Sequence, residues 1–157
     1  MEKDLFTRIV SKYKDDVFRV AYSICHDRND AEDIAQTTFV KLFQSEKVFE
    51  NDEHIKKWLV LVTVNNSKTL LQSAWKRKVD LDLQERLGKY RCRNNNEILE
   101  EALEQLDSTD RALIHLYYYE DMEMKEIADM MKMSESAVKT RLHRARKKLK
   151  KMMKGEK

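Results

Sequence analysis

No proline occurs anywhere in the 157 residues, and glycine occurs only twice, at Gly88 and Gly155. A β-sandwich or barrel needs turn residues at the end of almost every strand, so this chain lacks the means to build one. The same scarcity excludes a glycine-rich phosphate cradle of the Rossmann or P-loop kind. What remains is helix, interrupted by short polar breaks. With 41% hydrophobic and 38% charged residues, there is enough apolar material for a core, but spread over small, well-solvated helical units rather than one large globule.

Periodicity supports this. Leu5, Ile9, Tyr13, Val17, Val20, Ala21 and Ile24 fall at helical spacing from about Asp4 to Cys25. A second helix is expected after Asn29, which with Glu32 has the form of a capping box; Ala31, Ile34, Ala35, Thr38, Phe39 and Leu42 share one face. After the polar stretch Ser45–Glu53 comes a third helix, about His54 to Lys78. One stripe holds Ile55, Trp58, Leu59, Val62, Asn66, Thr69 and Leu70, and the other Lys57, Leu61, Val64, Lys68, Leu71 and Trp75. Apolar residues on two faces point to burial between neighbours, or to a lysine-bearing face that meets something outside the domain.

From Val79 to Asn95 the pattern breaks, with Gly88, mixed charge and the start of an asparagine run that ends at Asn96, as expected of a flexible linker. Beyond it lie four shorter helices: one with Ile98, Leu99, Ala102, Leu103 and Leu106; one capped by Ser108 or Thr109 and carrying Ala112, Leu113, Leu116 and Tyr117; one from Met124 to Met131; and one from Glu135 to about Met153. The expected fold is all-α: two small helical domains, residues 1–78 and 96–157, joined by the linker 79–95.

Cys25 and Cys92 are far apart, no CxxC pair occurs, and the four histidines are scattered. Reduced thiols of a cytosolic protein, with no metal and no cofactor, are the expectation. The start, MEKDLFTRIV, is charged from its second residue and has no apolar run of signal-peptide type. No stretch reaches the roughly 20 apolar residues of a membrane span, so a cytoplasmic protein without membrane insertion is expected. No nucleophile motif or catalytic cluster is present, so no catalytic residue is assigned.

Net charge is +3, but unevenly placed. Ser134 to the end carries ten basic and two acidic residues, whereas Asn96–Asp129 carries two basic and eleven acidic. One helix facing a polyanion, with neighbours that do not, has this distribution. The segment MKEIADMMKMSESAVKTRLHRARKKLKK has the form of a helix-turn-helix. Ile127, Ala128 and Met131 give the first helix a buried side, small Ala128 permits close approach, and Ser134 caps the second helix. There Val138, Leu142, Ala145 and Leu149 form a narrow stripe, opposite Thr140, His143, Arg144 and Lys147. Lys139, Thr140, His143 and Arg144 are the candidates for base edges in a major groove, since Arg and Lys donate to guanine O6 and N7. Ser136, Arg141 and Arg146 are the candidates for phosphates. A basic amphipathic helix by itself also suits a membrane surface or an acidic protein partner.

These residues resemble a known family. DRALIHLYYYEDMEMKEIADMMKMSESAVKTRLHRARKKL, from Asp110 to Leu149, resembles region 4 of sigma-70 family factors of the extracytoplasmic-function (ECF) group. DAEDIAQTTFVKL, from Asp30 to Leu42, resembles region 2.2, and WLVLVTVNNSKTLLQSAWKRK, from Trp58 to Lys78, resembles regions 2.3 and 2.4. The resemblance implies a sigma factor that directs core RNA polymerase to promoters. Its partners would be the β′ clamp helices and β flap of the polymerase, promoter DNA and an anti-sigma factor. Asp33, Gln36 and Lys41 would dock on polymerase. The loop Ser45–Glu53 and Asn65, Lys68, Trp75, Lys76, Arg77 and Lys78 would hold the −10 element as single strand; a core role for Trp75 is the alternative. Lys139, Thr140, Arg141, His143 and Arg144 would read the −35 element as duplex.

The chain departs from the family pattern at Thr37, where an acid is usual; at Thr69 and Gln72, where Asp and Arg are usual; at Lys132, where a turn glycine is usual; and at Asp107–Ser108, where a proline is usual. The competing reading is a stand-alone helix-turn-helix regulator that does not bind polymerase. A protein-interaction module with a basic docking helix is a further alternative.

Overall fold

The computed structural model describes residues 1–86 and 95–154; the side chains of residues 72–86 and 95–97 lie outside that description. Among the described residues there are seven helices and no strand. They are α1 (Lys3–Cys25), α2 (Arg28–Gln44), α3 (Asp52–Arg86), α4 (Asn95–Gln105), α5 (Ser108–Tyr118), α6 (Met124–Met131) and α7 (Glu135–Met153).

Helix α1 buries Ile9, Tyr13, Val17, Val20, Ala21, Ile24 and Cys25. Leu5, expected on that stripe, is exposed, and its neighbour Phe6 takes the inward place in the first turn, its ring meeting Phe43 of α2 edge-on at 5.0 Å. Helix α2 buries Ala31, Ile34, Thr38, Phe39 and Leu42, as its periodicity implies. Its cap is Asp27 rather than Asn29: the Asp27 carboxylate accepts a hydrogen bond from the Asp30 amide at 3.0 Å. Asp107 likewise caps α5, accepting from the Asp110 amide at 2.8 Å, in place of Ser108 or Thr109.

Helix α3 differs most from its sequence pattern. It begins at Asp52 and continues eight residues past Lys78, through VDLDLQER. Those residues were expected to open the linker, but none is a helix breaker and several are strong helix formers. Residues 87–94, the rest of that linker apart from Asn95, lie outside the described residues. The buried side of α3 is Ile55, Leu59, Val60, Thr63, Val64 and Ser67, whereas Trp58 and Val62 are only partly covered. Thr63 and Ser67 enter the core because each hydroxyl donates to the carbonyl one turn earlier, Leu59 at 2.6 Å and Thr63 at 2.7 Å. Thr38 does the same to Ile34 at 2.8 Å. A buried hydroxyl satisfied in this way avoids the cost of an unpaired polar group.

The helices before and after residues 87–94 share one apolar cluster. Val20 and Ile24 of α1 and Val60 and Val64 of α3 pack with Leu113 and Leu116 of α5, Ile127 and Met131 of α6, and Val138 and Leu142 of α7. Arg111 ties this joint together from within. Its guanidinium donates to the carbonyls of Ser23 (2.9 Å), Ile24 (2.8 Å) and Leu106 (2.8 Å). Ser23 and Ile24 lie in the last turn of α1, where carbonyls have no partner within the helix and a positive charge meets the negative end of the dipole. Arg111 is thus a C-terminal cap for α1 supplied by α5.

Ion pairs frame the joint. Lys56 Nζ lies 3.2 Å from Glu120 Oε2, and Lys57 Nζ 3.2 Å from Glu126 Oε2. The Glu120 side chain is 3% exposed; burial alone would raise its carboxyl, but His115 and Lys56 outweigh burial and hold it below the usual carboxylate range. His26 Nε2 lies 3.2 Å from Glu104 Oε1. Burial, and then repulsion from Arg111, hold the His26 imidazole below its ordinary value despite Glu104 and Glu100.

A lowered folded-state value has a definite consequence for stability. The contribution of neutral His26 is present above the unfolded imidazole value of about 6.5 and is lost as pH falls through the lower folded value. Urea denaturation at pH 7.5 and at pH 5.5 is therefore expected to show lower stability at the acid pH. His26→Gln is expected to reduce that difference, and an equal difference in the variant would contradict this role.

Candidate nucleic-acid and polymerase interfaces

Helix α6, a tight turn and α7 form the helix-turn-helix. Helix α6 buries Ile127, Ala128 and Met131, and α7 buries Val138, Leu142 and Ala145 against it and against α5. The turn is made by Lys132, with φ 57° and ψ 47° in the left-handed region; its amide donates to the carbonyl of Asp129 at 3.4 Å, and the Met133 amide to that of Ala128 at 2.9 Å. Those bonds end α6 as glycine commonly would, on a residue that has a Cβ to strain. Ser134 then starts α7, its hydroxyl accepting from the Ala137 amide at 3.0 Å.

This packing fixes the rotation of α7 about its axis. Ser136, Lys139, Thr140, His143, Arg144 and Arg146 are all exposed, as is Lys147. Arg141 is different. Its Nη1 lies 3.0 Å from Asp110 Oδ1 and 3.6 Å from Asp107 Oδ2, so it anchors α7 to the start of α5. Arg146 Nη1 donates to the Tyr118 hydroxyl at 3.1 Å. The helix thus presents one continuous polar and cationic face with its apolar stripe turned inward, the form needed to enter a major groove.

On α3, Asn65 is exposed, with its carbonyl accepting from the Thr69 hydroxyl at 3.0 Å. Lys68 is partly buried and its Nζ reaches the Met131 carbonyl at 3.5 Å. Burial, and then Lys132, lower its ammonium below the ordinary value. The side chains of Trp75, Lys76, Arg77, Lys78 and Gln72 lie outside the described residues. Within the loop before α3, Phe49 meets the Trp58 ring edge-on at 5.7 Å between centroids.

On α2, Asp33 and Gln36 are exposed and share a face with Thr37. Lys41 points elsewhere, donating to Asn66 Oδ1 of α3 at 2.7 Å. Sequence reasoning missed two members of the Asp33 face: Val40 and Phe43 are 53% and 48% exposed. Their spacing from Gln36, four residues and then three, is the signal that places them there rather than on the Ile34 stripe. Among the described residues no group of His, Cys, Asp and Glu is arranged to hold a metal, and no helix is long and apolar enough to cross a membrane.

The left-handed Lys132 gives a direct test of the turn. Lys132→Gly is expected to stabilise the chain by about 1 kcal/mol, read as a higher urea midpoint at unchanged slope. A lower midpoint would mean that the turn is not built this way.

The chain is similar to known proteins in both sequence and fold. Sigma-70 region 2 matches residues 9–77, and sigma-70 region 4 matches residues 96–149. RNA polymerase sigma factor SigV of Bacillus subtilis is 32% identical over 145 residues, covering 91% of this chain and 87% of that protein. ECF RNA polymerase sigma factor SigW of the same organism is 27% identical, covering 97% and 90%. Among solved structures, the sigma factor RpoE of Bartonella quintana, in complex with the anti-sigma factor NepR, superposes with a TM-score of 0.71 at 21% identity, covering 99% of this chain and all of that one. CnrH, in complex with the cytosolic domain of CnrY, gives 0.68 at 24% identity, covering 99% and 92%. The chain belongs to the sigma-70 family of RNA polymerase sigma factors, in its extracytoplasmic-function group.

Proposed function

We propose that this sigma factor divides promoter recognition between α7 and α3 and holds polymerase through the outer face of α2. As a sigma factor it binds core RNA polymerase and promoter DNA and directs the enzyme to its start sites. The observation that carries the assignment of α7 is its geometry: Ser134 caps it, Val138, Leu142 and Ala145 are buried behind it, and Lys139, Thr140, His143 and Arg144 face outward. Those four suit base edges of the −35 duplex, and Ser136 and Arg146 suit its phosphates. Arg141 is a positioning residue that can add a phosphate contact from its exposed side.

The −10 strand falls to the loop before α3 and to Asn65, Lys68, Trp75, Lys76, Arg77 and Lys78, with cations for the backbone and an aromatic for a base. Asp33 and Gln36, extended by Val40 and Phe43, form the face offered to the β′ clamp helices, and Lys41 supports it through Asn66. Region 4 also meets the β flap. Residues 1–78 and 96–157 act as the two promoter-gripping units. The chain catalyses nothing itself, works in the cytoplasm where polymerase is, and is held in check by an anti-sigma factor of the kind seen with RpoE. The match to region 2 in the front half favours this over a stand-alone regulator, which has no need of it.

Two substitutions separate these roles. Arg144→Ala is expected to cost about 1–3 kcal/mol at one base position of the −35 element, measured by duplex competition with polymerase holoenzyme; equal loss on every sequence would leave Arg144 a phosphate contact only. Asp33→Ala is expected to weaken core binding at unchanged thermal stability, measured by co-purification or titration with core enzyme. Unchanged affinity would exclude this face of α2.

A further inference from the structure

Methionine is used unevenly along this chain. Seven of its eight methionines lie between Met122 and Met153, and five of those stand between Met122 and Met133, around α6 and its turn into α7. Met131 is buried, at 5% exposure. Met122, Met124, Met130 and Met133 pack against the cluster that holds Ile127, Val138 and Leu142, yet each is only partly covered. Met122 and Met130 also line a cleft of about 370 Å³, beside Trp58 and Leu61. Met133 directly follows the left-handed Lys132, and its amide closes α6 on the Ala128 carbonyl at 2.9 Å. Leucine fills such positions nearly as well; what a thioether adds is reactivity.

These four side chains combine two properties. Enough of each is open for a small oxidant to reach, and enough is packed for a change of polarity to be felt. Met153, 40% exposed at the end of α7, has the first property alone, and buried Met131 has the second alone. The thiol of Cys25, a better nucleophile, is shielded at 2% exposure.

We propose that Met122, Met124, Met130 and Met133 are a reversible oxidation site that takes the helix-turn-helix out of use when the chain meets hypochlorous acid. Each thioether sulfur gives up an electron pair and takes the oxygen. The chlorine accepts that pair and leaves as chloride, and the hydrogen leaves as a proton. The product is a sulfoxide, which a methionine sulfoxide reductase returns to the thioether by oxidising a dithiol to a disulfide and releasing water. A sulfoxide is polar where the thioether was apolar, so its oxygen must find a donor or turn to water. Turning outward draws the side chain off the crossing of α6 and α7 and loosens the turn at Lys132, whose left-handed backbone is already strained. The fraction of molecules with α7 correctly held then falls, and promoter affinity falls in proportion. The loss of transcription rests on the reading of α7 given above; the loss of packing does not.

The test treats the purified full chain with a small molar excess of hypochlorous acid and quenches it with free methionine. The chain is then added to untreated core polymerase and a library of genomic fragments. Peptide mass spectrometry is expected to find added oxygen on Met122, Met124, Met130, Met133 and Met153, and none on Met131. The thermal midpoint is expected to fall by about 5 °C, and the concentration for half-maximal transcription to rise about tenfold. Sulfoxide reductases with dithiothreitol restore both; dithiothreitol alone, which reverses thiol oxidation, restores neither. A chain carrying Met122→Leu, Met124→Leu, Met130→Leu and Met133→Leu keeps its midpoint and its transcription through the same treatment, whereas Met153→Leu behaves as the parent chain does. The proposal is overturned by an absence of sulfoxide at the four positions, by sulfoxide there with an unchanged midpoint, or by equal losses in the fourfold variant. Should that variant be unfolded before treatment, the reductase comparison decides alone, and recovery with dithiothreitol by itself overturns the site. A chain that directs no transcription even before treatment loses its proposed function, and the thermal midpoints then decide the oxidation site by themselves.

Discussion

The apolar stripe of α7 is the contact on which the DNA-facing side of the molecule depends. Val138, Leu142 and Ala145 lock the helix against α5 and α6, and because an α-helix is rigid, that lock sets the direction of every polar residue on the opposite side. Arg141 strengthens it by pairing with Asp110 and Asp107 at the start of α5. A reading helix free to roll about its axis would present its cations in all directions and discriminate poorly. The Ser134 cap and the left-handed Lys132 finish the arrangement by fixing where α7 begins and at what angle it leaves α6.

The second organising contact is the joint between the two groups of helices. It combines an apolar cluster, which is insensitive to salt, with ion pairs at the rim, which are screened by it. Arg111 belongs to neither class: it is a charge placed at the end of α1, where the His26 amide reaches the Tyr22 carbonyl and the guanidinium takes the next two, Ser23 and Ile24. Removing one side of such a contact leaves buried carbonyls without donors, and so the joint closes as a unit. A joint of this kind makes the packing of the two groups of helices a definite arrangement instead of a loose average.

Much of this was legible in the sequence, and the misses share physical causes. The all-α class followed from missing turn residues, and the helix-turn-helix from a stripe at helical spacing with a serine before it. Cap positions were misplaced in the runs DRND and DSTD, because several good capping residues stand side by side and periodicity cannot choose among them. Thr63 and Ser67 were missed in the core because a hydroxyl bonded to its own helix reads as polar. Val40 and Phe43 were passed over for the reverse reason, being apolar on an outward face. The reach of Arg111 to Ser23 and Ile24 spans 88 and 87 residues of sequence, and no local pattern announces a contact at that separation.

The central claim is that this chain gives core RNA polymerase its choice of start site. Transcription in vitro from a library of genomic fragments, with purified core enzyme and with or without the purified chain, tests it most directly. Discrete transcripts that appear only when the chain is added, with shared sequence elements near −35 and −10, are the expected result. Identical transcript profiles with and without it would contradict the account.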